Sequence, residues 1–138
     1  MEIYKNALID NGKNVNEIEM PVLIASACVA KNRDIARMAA EEFMLRKHRD
    51  YAKRKGHRLY ELLKKEGRDA SELTFNDIAD EVFLGGPDEA IEIVEKLKGL
   101  GANHIIFRLA WAGLTMEQSV LDSVKLIGEK VIPYFTQQ

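Results

Sequence analysis

The sequence predicts a helix-rich α/β chain with about two parallel strands, and three stretches carry that prediction. Residues 21–30, PVLIASACVA, are apolar with no charge and no alternation, the pattern of a strand covered on both faces. Residues 104–110, HIIFRLA, form a second apolar run. Between them PDEAIEIVEKLKGLG reads as a helix, joined to the second run by the connector ANH. So tight a helix-to-strand joint belongs to a β–α–β unit. Two strands leave open edges that need pairing or cover, which points to self-association or to a partner segment.

Residues 2–10 read as a short helix with Ile3, Ala7 and Leu8 on one side and Gly12 as its stop. Small residues Ala25, Ser26 and Ala27 in the first strand allow close approach to its backbone. Residues 31–56 hold the longest helix, with Asn32 as N-cap and a stripe of Ile35, Met38, Ala39, Phe43 and Tyr51. Its C-terminal end is basic, which suits the helix dipole. His48 and His57, with no spaced partner, read there as surface residues. HRLYELLKKEG is a second amphipathic helix ended by Gly67.

Thr74 and Asp77 have the spacing of a capping box. Gly85 and Gly86 then break the chain, and Pro87 opens the next helix, with Ala90, Ile91, Val94 and Leu97 as its buried face and Gly101 as its stop. A plain turn explains GGP, and an N-terminus open to phosphate is the rival reading. The last helix starts at Thr115 with Gln118 three residues on. Val120, Leu121, Val124, Ile127 and Val131 are its stripe, and Pro133 its end.

The chain has 138 residues, which suits one domain over 1–138. A net charge of −2 gives no electrostatic case for nucleic acid or an acidic membrane. No apolar run reaches the roughly 20 residues that span a bilayer, and the N-terminus lacks a signal-peptide pattern. The single cysteine, Cys28, excludes an intramolecular disulfide. A cytoplasmic protein is the expectation.

The dinucleotide-binding and P-loop glycine patterns, the zinc spacings and the G-x-S-x-G elbow are all missing from the sequence. Alternation in the second strand is more informative. Ile105, Phe107 and Leu109 point one way, and His104, Ile106, Arg108 and Ala110 the other. In β/α folds ligands sit beyond the C-terminal ends of parallel strands, which is where Arg108 and Trp111 fall. Either Arg108 holds an anionic group and Trp111 walls a ligand, or Arg108 pairs with a neighbouring carboxylate and Trp111 plugs the core.

The order of motifs resembles the luciferase-like flavin monooxygenases. YKNALIDNGKN is similar to that family's Y-x-x-A-L-x-x-x-G helix, and MPVLIASACVAKNRDIARMAAEEF to its late strand and following helix. Residues 83–135 resemble its C-terminal block through Gly85 or Gly86, Pro87, Asp88, Glu89, Leu97, Gly101, His104, Arg108, Trp111, Gly113, Val131, Ile132, Pro133 and Phe135. The resemblance implies a partial TIM barrel, the C-terminal β/α units of a luciferase-like barrel. The whole barrel takes about 250 residues, and strands equivalent to its first six have no counterpart here.

It further implies a flavin-dependent monooxygenase or oxidoreductase acting on a small organic substrate, with FMN or a deazaflavin as cofactor. Arg108, Trp111, Ser26 and Cys28 would be its cofactor- or substrate-binding residues; no catalytic residue and no metal ligand is implied. The alternative is a non-enzymatic interaction or oligomerisation module that binds no flavin. Under either reading the partners would be copies of the chain or a chain supplying the missing strands.

Overall fold

A computed structural model describes residues 2–14, 20–110 and 118–136. The chain runs α1 (Glu2–Asp10), β1 (Pro21–Ile24), β2 (Ala27–Val29), α2 (Arg33–Ala52), α3 (Arg58–Glu66), a 3-10 segment (Phe75–Glu81), β3 (Phe83–Gly85), α4 (Pro87–Gly99), β4 (His104–Phe107) and α5 (Gln118–Leu126). A π-helical turn at Ile127–Val131 leads into α6 (Ile132–Thr136). The α/β class with parallel pairing is observed. The expectation of about two strands is corrected to four short ones. The additional strand, β3, sits where the glycine pair suggested only a break.

The four strands are two parallel pairs. β1 pairs with β4 from Pro21↔His104 to Ile24↔Phe107, and β2 pairs with β3 from Ala27↔Phe83 to Val29↔Gly85. One chain segment, 21–29, is therefore central to both. Arg108 shows how the handover happens: its N–H donates to the Ile24 carbonyl at 3.0 Å, and its own carbonyl accepts from Ala27 N–H at 3.2 Å. A regular parallel ladder would use residues two apart; here they are three apart, so one extra residue is inserted at Ala25–Ser26. This is a β-bulge. On the other side, the Ser26 carbonyl accepts from Phe83 N–H at 2.7 Å and starts the β3 ladder.

Beyond β4, a side chain continues the ladder. Ser123 Oγ of α5 accepts from Val29 N–H at 3.0 Å and lies 2.8 Å from the Val29 carbonyl. The backbone of a fully buried strand is thereby satisfied without another strand.

Helices cover both faces of β2–β3. Cys28 and Leu84 pack with Ala36, Ala40 and Met44 of α2, and with Leu59, Leu63, Leu73 and Ile78 beyond it. Ala27, Val29 and Phe83 pack on the opposite face with Ala90 of α4 and Val131. Each fully buried large side chain, such as Met44, Leu59 or Ile78, contributes about 1.5–3 kcal/mol. The β1–β4 half is less covered. Its residues 21–24 alternate between exposed and half-buried, so the expected cover on both faces holds only for 26–30. Leu23 and Ile106, partners in register, are 53% and 43% exposed. The expected alternation in β4 is present: Ile105, Phe107 and Leu109 are half-buried, and His104, Ile106, Arg108 and Ala110 exposed.

The longest helix forms with Asn32 as its cap, accepting from Ile35 N–H at 3.0 Å, but its stripe is corrected. Ile35 and Met38 are exposed, and the buried line is Ala36, Ala40, Met44, His48 and Ala52. Side chains four apart lie on one face, and the small alanines let α2 approach β2 and β3 closely. The expected side of α1 is uncovered, with Ile3 and Ala7 exposed. In the last helix Val120, Ser123 and Val131 are buried, while Leu121 and Val124 are exposed. Pro133 does not end it. The π turn at 127–131 widens the helix ahead of the proline, and α6 continues to Thr136. Widening relieves the clash between a proline ring and the preceding turn. The expected cap at Thr115 lies outside the described residues.

Candidate functional site

The bulge places Ser26 where the β1–β4 pair ends. Its side chain is buried, and its Oγ accepts a hydrogen bond of 3.0 Å from Lys47 Nζ of α2. Lys47 lies beside the buried α2 line, so it is half-buried while its amine reaches the sheet. Arg108 follows β4 and acts on the same amine: burial first, then the Arg108 charge, lower the Lys47 pKa from its ordinary value. These residues line a cleft of about 490 Å³, together with Leu23, His48 and Glu81 among others.

An aromatic wall continues from Lys47. Its Nζ lies 5.6 Å from the centre of the Tyr51 ring, one helical turn on. Tyr51 stacks on His57 at 5.3 Å and meets the edge of His48 at 5.9 Å. His48 is corrected from a surface to a core residue. It is 3% exposed, and its Nδ1 lies 2.7 Å from the Met44 carbonyl. Because a carbonyl only accepts, Nδ1 carries the proton. Nε2 faces Glu81 at 3.7 Å. Burial is the main cause that lowers the His48 pKa. His57 is likewise not a free surface group, since its Nδ1 accepts from Leu59 N–H at 3.2 Å and caps α3. Glu81 is further held by Arg58, whose Nε donates to it at 2.6 Å.

Of the four residues expected to bind a ligand, the fold brings Ser26 and Arg108 into one cleft. Cys28 sits in the core between β2 and α2. Burial pushes its thiol up, opposite to what a reactive thiolate needs. Trp111 lies outside the described residues. The sequence reading missed Lys47, His48, Tyr51 and Glu81 as cleft residues. The usable signal was the four-residue spacing of Lys47 and Tyr51, which puts both on one flank of α2.

The GGP helix start is already occupied. Glu89 folds back so that its carboxylate accepts from Gly86 N–H at 2.6 Å, and its other oxygen meets Arg33 at 2.7 Å. That carboxylate fills the place a phosphate would take and repels one. A Cβ on Gly85 would stand 2.8 Å from the same carboxylate and 2.9 Å from the Phe83 ring, so the glycine makes room for this cap.

Among the described residues no group of His, Cys, Asp or Glu is arranged to hold a metal ion, and no helix is long and apolar enough to cross a membrane. Comparison with known protein families, with curated proteins and with solved structures finds no match.

Proposed function

We propose that this chain is a flavin-binding β/α unit descended from the C-terminal part of a luciferase-like monooxygenase. One observation carries the reading: Ser26, Lys47 and Arg108, from three separate elements, converge in one cleft at the C-terminal ends of β1 and β4. Two cations and a hydroxyl fit the anionic end of a cofactor, either the phosphate of FMN or the negative charge of a reduced flavin ring. The cleft volume lies in the range of small-molecule sites. A bound flavin would supply the reactivity toward oxygen. The residues' own share is to bind and orient the anion.

Strand order bears on the architecture. Neighbours in a β/α barrel are consecutive in the chain. Here β4 pairs with β1, and β3 pairs with the other half of the same segment. We therefore propose an open β/α unit of that descent. Titration with FMN, riboflavin and a deazaflavin, followed by flavin fluorescence, tests it. Micromolar binding that weakens about tenfold in Lys47→Gln and Arg108→Gln is expected. No binding at millimolar flavin overturns it.

A second reading, a non-enzymatic oligomerisation module, is favoured by the uncovered Leu23–Ile106 pair. Size-exclusion chromatography with light scattering decides it, since a stable monomer at micromolar concentration rules it out.

A further inference from the structure

We propose that Lys47 is a reactive amine that forms an imine with a small carbonyl compound bearing a carboxylate, with Arg108 holding the carboxylate. This goes beyond flavin binding and does not depend on it.

The geometry has the three parts such a reaction needs. The amine is in a cleft, half-buried and reachable. A hydroxyl, Ser26 Oγ, stands 3.0 Å from the nitrogen. A permanent cation, the exposed Arg108, lines the same cleft. An amine nucleophile is activated by desolvation or by a neighbouring cation, because both favour its neutral form. Lys47 has both. The other charged or titratable groups lining the cleft are His48 and Tyr51 of α2, His57 before α3, and Asp80 and Glu81 of the 3-10 segment. Glu81 is engaged by Arg58 and faces His48, so its charge is already answered.

The Lys47 nitrogen lone pair attacks the carbonyl carbon, and the C=O π pair moves onto oxygen. One nitrogen proton passes to that oxygen, with Ser26 placed to relay it. The nitrogen lone pair then expels the protonated oxygen, which leaves as water with the second nitrogen proton. A C=N bond has replaced the C=O bond, with no change of oxidation state. Guanidinium binds carboxylate in a two-point fork, so Arg108 selects anionic over neutral carbonyl compounds.

The test uses glyoxylate as the anionic probe and glycolaldehyde as the neutral one. Borohydride reduces any imine on the purified full chain at pH 7, and labelled lysines are mapped by mass spectrometry. Exposed Lys53 and Lys64 serve as internal standards in the same digest. Glyoxylate is expected to label Lys47 at least about tenfold faster than either standard, with glycolaldehyde far less selective. Arg108→Gln, checked for folding by circular dichroism, should abolish the preference for glyoxylate. Ser26→Ala should slow labelling of Lys47 and leave Lys53 unchanged. Labelling of Lys47 no faster than Lys53, or a glyoxylate preference that survives Arg108→Gln, overturns the proposal. Flavin titration of the same preparation reports separately on the flavin reading.

Discussion

Arg68 grips Asp77 with both arms of its guanidinium: Nη1 meets Oδ1 at 3.1 Å and Nη2 meets Oδ2 at 2.7 Å. The same carboxylate accepts from Thr74 N–H at 2.7 Å and Thr74 Oγ1 at 2.8 Å. One side chain thus starts the 3-10 segment that leads into β3 and ties it to the end of α3. These partners, Arg68 first, hold the Asp77 carboxyl well below the usual carboxylate range. A depressed carboxylate stabilises the fold above its unfolded pKa of about 3.9, and that stabilisation is lost as pH falls through the lower folded value. Asp77→Asn should lower the urea midpoint at pH 7 and flatten its fall below about pH 4. Denaturation curves across pH 2–7 check this.

His48 acts in a different window. Burial lowers its pKa, so the folded chain binds a proton less readily than the unfolded chain. Stability therefore begins to fall as pH drops below about 6.5, the unfolded value, and levels off below the folded one. His48→Phe should remove this upper acid step and leave the lower one, attributed to Asp77, in place. The two steps separate in the same set of curves.

Much of this architecture was legible, and the gaps have physical causes. Asn32, Gly67 and the Thr74–Asp77 pair announce their ends because caps are local chemistry, decided by neighbours in sequence. The stripe of α2 was misread because large apolar residues were weighted over alanine. Ile35 and Met38 face outward, while Ala36 and Ala40 take the position that only small side chains can fill. Arg108 was recognisable from strand position, and Ser26 only through the family resemblance. Lys47 was not, since it reads as one more charge on a basic helix end until the bulge brings Ser26 to it.

Ser123→Ala should cost about 1–3 kcal/mol, the penalty for leaving a buried backbone group unpaired. Among the described residues, this hydroxyl answers Val29 on the side where β4 has ended. Urea denaturation of the variant gives the value. Hydrogen exchange should show Val29 N–H losing protection more than Cys28 N–H, which faces the β3 ladder.

Ala40→Leu should destabilise by about 1–3 kcal/mol or more through overpacking, because Ala40 is fully buried within the α2 interface. Met38→Leu, at a residue 89% exposed on the same helix, should leave the midpoint unchanged. The pair of midpoints checks that α2 faces the sheet with its alanine side.

The inserted residue at Ala25–Ser26 works like a vernier between two strands that do not pair with each other. β3 and β4 each read the central segment, but from opposite sides of a one-residue offset. Deleting Ala25 would make the central segment run straight, and one of its two neighbours would have to slide by a residue. In a period-two strand a slide of one residue turns every side chain over. Cys28 and Val29 would exchange faces, or Arg108 would swing away from Lys47. The register of β3 against β4 is thus written into a single inserted residue between them, and with it the place where Ser26, Lys47 and Arg108 meet.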